Sequence, residues 1–188
     1  MRAQYRLYLY YLLICSMGYR NVFLFVLTVL FNSFERDSWA TPSLSLDRVK
    51  TQITTLGVGG AAQSLFASEE WGVLAQEVAR GTDAWVGIAT QFRTATSGAI
   101  AESLDVMIGT AISKNPRAVL RSKLPTETLY YVCRNEPVDE DAPASESIAE
   151  FLARERALSL INDKDILTAC DVCLQGVRDA IKDLNKLR

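Results

Sequence analysis

Apolar residues recur every three to four positions through most of this chain, the period of a helix that buries one face. Trp71, Leu74, Ala75 and Val78 stand at i, i+3, i+4 and i+7, and Trp85, Ile88, Ala89 and Phe92 repeat that spacing. A further stripe holds Ile100, Leu104, Met107, Ile108 and Ala111, and a last one runs through Ile166, Cys170, Cys173, Leu174, Val177, Ile181 and Leu184. Leu46, Val49 and Ile53 predict a weaker helix over residues 43–55.

Polar and special residues punctuate these stripes. Ser68 with Glu69 and Glu70 reads as a capped helix start, where acids suit the positive end of the dipole. Gly81 ends that helix and Asp83 starts the next; Ser97-Gly98 opens another. In Asn115-Pro116 the asparagine caps, and proline takes the first helical position, where its missing N–H costs nothing. Ser147-Ile148-Ala149-Glu150 has the form of a capping box, and Asn162-Asp163 marks a joint. Gly57-Val58-Gly59-Gly60 is expected to break the chain, and residues 129–133 are the one plausible strand, with another buried helical turn as the alternative. Residues 134–147, with Pro137, Pro143 and several acids, read as a solvated linker. Five to seven helices with short turns must pack on each other, so the expected fold is all-α: an antiparallel bundle or a short HEAT-like array.

The front of the chain breaks this pattern. Residues 7–31 are almost wholly apolar, interrupted at Arg20, and Ser38-Trp39-Ala40 then precedes Thr41-Pro42. A basic start, an apolar segment and small residues before a cleavage point are the marks of an exported protein. Residues 1–40 are therefore expected to be a signal peptide cut between Ala40 and Thr41, with Met17 as an alternative start. Residues 41–188 then form one helical domain with the acidic loop 134–147. The competing reading is a retained membrane anchor, in which a mid-span Arg20 would cost about 2.5–3.5 kcal/mol on insertion scales. Leu12-Leu13-Ile14-Cys15 fails as a lipoprotein box because Ile14 is too bulky before the cysteine.

Charge narrows the functions open to the chain. The whole chain carries −2, and the leader's four arginines against two acids leave about −4 on residues 41–188. A mildly acidic domain has no electrostatic case for nucleic acid. There is no histidine, which removes the commonest general base and the commonest metal ligand.

In an oxidising compartment the cysteines are expected to pair. Cys133 precedes the acidic loop, and a bond from it to the last helix would staple the C-terminal hairpin to the body. Cys173 is the preferred partner, with Cys170 close behind, and the remaining thiol would be a small buried hydrophobe. Cys170-Asp171-Val172-Cys173 also matches C-x-x-C, but it lies mid-helix rather than at a helix start, where a thiol is activated. Three cysteines without histidine fall short of a zinc set. Gly57-Val58-Gly59-Gly60-Ala61-Ala62 fits a relaxed dinucleotide fingerprint, yet helices rather than a second strand follow it. The acid groups Glu69/Glu70, Asp139/Glu140/Asp141 and Asp163/Asp165 each have a structural place, and Tyr130-Tyr131 reads as core edge. No catalytic, metal or cofactor-binding residue and no cofactor is therefore assigned.

From Trp71 through Gly81 and Trp85 to Asn115-Pro116-Arg117-Ala118-Val119-Leu120, the pattern resembles small uncharacterised all-helical proteins exported by Gram-negative bacteria. Those proteins commonly carry a cysteine soon after, here Cys133, and another in the final helix, here Cys173. The resemblance implies a periplasmic location and a disulfide, and no reaction. The functional expectation is a non-enzymatic periplasmic protein that binds a protein partner through Glu136, Asp139, Glu140, Asp141 and Glu146, as an inhibitor, an immunity-type protector or an envelope accessory factor. No nucleic acid is expected as partner, and a membrane only through an uncleaved leader. The alternatives are a membrane-anchored structural protein, and a small-ligand carrier or enzyme with a helical pocket near Trp71 and Trp85.

Overall fold

The computed structural model describes residues 44–136 and 143–186, and every regular element in them is a helix. The leader, with Ala40 and Thr41, and the acids Asp139, Glu140 and Asp141 lie outside the described residues. The described residues belong to one compact unit, Pro42–Arg188.

Helix α1 spans Leu46–Phe66, and Ser45 Oγ caps it by accepting from the Arg48 amide at 3.2 Å. The expected break at residues 57–60 is confined to Gly57, whose φ of 73° and ψ of 167° kink the helix. The helix then resumes because Ala61, Ala62 and Leu65 are buried in the core on the far side of the kink. Ser68 makes the corner into α2, Glu70–Ala79: its hydroxyl donates to the Leu65 carbonyl and accepts from the Glu70 amide. Gly81 then stops the chain at φ 74°, a conformation that side chains with a Cβ rarely adopt.

Helix α3 is Asp83–Thr94 and α4 is Gly98–Ala111. Asn115 caps α5, Pro116–Arg121, as its sequence predicts: Oδ1 accepts from the Ala118 amide at 3.1 Å. Its Nδ2 also donates to the Gly81 carbonyl and to Asp83, tying α5 to the α2–α3 corner.

The expected strand is a helix. Thr126–Arg134 forms α6, with Leu129, Val132 and Cys133 buried at i, i+3 and i+4. Five residues are too few for periodicity to separate a strand from a buried helical turn. This element raises the count to eight helices among the described residues, one more than the sequence suggests. Helix α7, Ala144–Ser159, starts directly after Pro143, three residues before the expected capping box. Ser147 is consequently a buried helical residue and not a cap. The linker shrinks accordingly, since Arg134 ends α6 and residues 144–147 belong to α7. Helix α8, Leu167–Lys186, closes the chain.

Helix α4 is central and touches α1, α2, α3, α5 and α6. Such convergence describes a bundle around one helix, whereas a HEAT-like array stacks each unit only on its neighbours. Leu104 and Ile108 of α4, and Ile112 just past its end, are fully buried, as are Phe92, Leu74 and Val86. Burying each such side chain stabilises the fold by about 1.5–3 kcal/mol. Helix α8 lies mainly against α6 and α7, and this last group of three meets the rest of the bundle where α6 touches α4 and α7 touches α5.

Candidate functional site

Cysteine chemistry in this last group of helices is structural. Cys133 of α6 and Cys173 of α8 form a disulfide with their Cα atoms 5.2 Å apart. Cys170 is the free thiol, buried one turn earlier on α8, with Sγ facing the Leu158 carbonyl at 3.5 Å. Burial, with the Asp171 carboxylate beside it, pushes that thiol up, away from the reactive thiolate. The C-x-x-C pair is thus divided between a bridge and a buried hydrophobe.

Arg154 of α7 is wholly buried, although its sequence position gives no hint of it. Its Nη1 donates to the carbonyls of Cys133 and Asn135 at 3.3 and 3.0 Å, satisfying acceptors that the end of α6 leaves open. Nε lies 3.8 Å from Glu150, and Nε and Nη2 have no hydrogen-bond partner among the described residues. Burial lowers the guanidinium to about 10, against the pull of Glu150, so it stays charged at neutral pH. The signal that would have found it is the open α6 terminus, which becomes visible only when residues 126–134 are read as helix.

The predicted acidic surface is only partly placed. Glu136 and Glu146 are both exposed, at the two roots of the loop. Glu146 sits in the first turn of α7, where the dipole favours an anion. Of the pair expected to flank a pocket, Trp85 is core, and Trp71 is half-buried with its indole N–H donating to Ser103 at 2.9 Å.

The ionisable cluster lies elsewhere, around Tyr131. This residue is 52% exposed and borders two depressions. One, a cleft of about 410 Å³, is lined by Arg93, Asp105, Tyr131, Arg134 and Asn135. Arg93 grips Asp105 with Nε at 2.5 Å and Nη2 at 3.2 Å. Burial raises the Asp105 carboxyl, and the arginine opposes that rise. The other, a groove of about 620 Å³, runs between α6 and α8, bordered by Glu127, Tyr130, Tyr131, Asp171, Val172 and Gln175. Tyr130 donates to Asp179, and Arg134 pairs with Asp183 at 2.7 Å. Reading Tyr130-Tyr131 as core edge missed this face: at helical spacing Glu127 and Tyr131 share one side of α6. Among the described residues no group of three His, Cys, Asp or Glu is placed to hold a metal ion, and no helix is long and apolar enough to cross a membrane.

Comparison with protein-family models, curated proteins and solved structures finds no match. The functional reading therefore rests on the chain's own geometry.

Proposed function

We propose that this chain is an exported, non-enzymatic helical protein that binds a protein partner in the periplasm, as an inhibitor, an immunity-type protector or an envelope accessory factor. The observation that carries the proposal is the Cys133–Cys173 bond between α6 and α8. Such bonds persist in oxidising compartments and are rare in the reducing cytosol. Together with the apolar leader ending at Ala40, the bond supports export. The half-exposed tyrosine beside an arginine on α6 supports binding, because those side chains are enriched where protein interfaces concentrate their energy. The acidic balance disfavours nucleic acid, and contact with a membrane is left to the leader.

The test is cell fractionation with intact-mass measurement of the purified envelope protein. Export predicts periplasmic material lacking residues 1–40, with two thiols blocked and one free. A membrane-bound chain that retains its leader would replace this reading with the anchored one. A small-ligand carrier is the second reading, favoured by the Arg93–Asp105 pair in the cleft beside Tyr131. Carboxylate ligands that raise the melting temperature, and fail to do so in Arg93→Gln, would favour it.

A further inference from the structure

We infer that the groove between α6 and α8 docks a basic amphipathic helix of the protein partner, with Tyr131 as the anchor. This rests on the proposal that the chain binds a protein, and it names the surface and the chemistry of the occupant. The groove is an open depression between two helices, a form on which a partner helix can lay its apolar face. Tyr131 and Val172 offer that face apolar surface, and Tyr131 is among the most exposed large apolar side chains of the described residues.

The rim decides the sign of the partner. Glu127 and Asp171 border the groove, both exposed and neither within ion-pair distance of a cation among the described residues. Asp179 next to them accepts from Gln175 and Tyr130, hydrogen bonds that hold its carboxyl below the ordinary value and keep it charged. Arg134 pairs with Asp183 while also donating to the Tyr130 hydroxyl, Lys186 pairs with Asp183, and Arg134 and Lys182 act on Asp179 only through their charge, so Glu127 and Asp171 stay without a paired cation among the described residues. Lysine or arginine flanking an apolar residue on the partner complements this rim. An anionic lipid surface or a nucleic acid would be repelled by it. Two-fold self-association would set the rim of Glu127 and Asp171 against its own copy, like charge on like.

Two measurements test the inference on the full chain. First, a photocrosslinking amino acid replaces Tyr131, Glu146 or, as a distant control, Gln63 in the producing cell. An adduct at position 131 whose crosslinked segment carries lysine or arginine around apolar residues supports the inference. An adduct at 146 without one at 131 keeps the protein-binding proposal and overturns the groove. No adduct at any position overturns both, and an acidic crosslinked segment or a second copy of this chain overturns the groove. Second, the purified protein is titrated with an amphipathic Leu/Lys peptide of about four turns and with its Leu/Glu counterpart. Shifts of α6 and α8 amide signals with the Leu/Lys peptide alone are expected. Tyr131→Ala should weaken that binding by at least about tenfold, as loss of an anchoring aromatic does, and Asp171→Lys should do the same without touching the apolar floor. Both substitutions fall on exposed positions, and circular dichroism checks that each variant is folded. Peptide shifts elsewhere on the surface, indifferent to Tyr131→Ala, would overturn the assignment.

Discussion

Reducing the Cys133–Cys173 bond should cost this domain a large share of its stability. The bond joins residues 40 apart in sequence, with both sulfurs buried between α6 and α8. Cross-linking a loop of that length removes roughly 13 cal/mol/K from the unfolded chain, or about 4 kcal/mol at room temperature. Whole domains are stable by only about 5–15 kcal/mol. For a chain of this size each kcal/mol is worth about 2–4 °C, so the melting temperature should fall by about 8–16 °C. Comparing oxidised with reduced wild type isolates the bond, because no side chain is deleted. Urea melts followed by circular dichroism give both the midpoint and its slope. Stability should fall and the slope rise, since the released unfolded chain exposes more surface. Cys173→Ser should reproduce the loss, whereas Cys170→Ser should leave the oxidised midpoint sensitive to reductant. Superimposable melts with and without reductant would refute the reasoning outright. Loss of the redox effect in Cys170→Ser would show that the bond runs to the other cysteine.

Arg154→Ala should cost about 3–5 kcal/mol in urea melts, because it empties a buried site and strips donors from the Cys133 and Asn135 carbonyls; Arg154→Met, which refills the volume, should cost less. Gly109→Ala should destabilise by about 1–3 kcal/mol despite alanine's better helix propensity. A Cβ there would stand 2.8 Å from the Val132 carbonyl oxygen and 3.1 Å from Arg154 Nη1. Asp105 has a folded-state carboxyl raised above its ordinary value of 3.8 by burial. Its contribution is therefore full below that value and lost as pH rises through the folded value. The stability of wild type relative to Asp105→Asn should decline as pH is raised from acid, in melts at constant ionic strength, and a rise instead would contradict the burial argument.

Side-chain spacing made much of the bundle legible. The Trp71 and Trp85 stripes, the stop at Gly81 and the Asn115-Pro116 start stand where their sequence puts them, because each follows from local physics: period, positive φ, a capping oxygen. Where reading failed, tertiary packing outweighed the local signal. Residues 129–133 are rich in strand formers, but Leu129, Val132 and Cys133 need a helical turn to reach α4 and α8 together. Ser147 satisfies the capping-box pattern, yet the helix already begins at Ala144, directly after Pro143, and leaves the serine inside it. The glycine run looked like a loop, and one residue, Gly57, absorbs the whole break. The Tyr131 face stayed hidden for the same reason. Tyr131 belongs to the solvent side only once α6 is a helix, and Arg154 has carbonyls to satisfy only once α6 ends beside it.

Helix α6 is nine residues long, too short to be stable alone in water. Three neighbours hold it. On the α4 side Gly109 lets the Val132 carbonyl approach, and on the α8 side Gly176 does so for the Tyr130 carbonyl, where a Cβ would stand 2.7 Å away. From α7, Arg154 caps its last turn, and Cys173 bonds it covalently. So many fixings on the inward side leave Glu127 and Tyr131 presented from a backbone with little freedom to lose. A backbone already ordered gives up less entropy when a partner covers it, and that surplus appears as affinity. The disulfide then acts on two levels. It restricts the unfolded chain, and it preorganises the outward face of α6. Reduction under conditions where the bundle stays folded should accordingly weaken docking at Tyr131 before it melts the core.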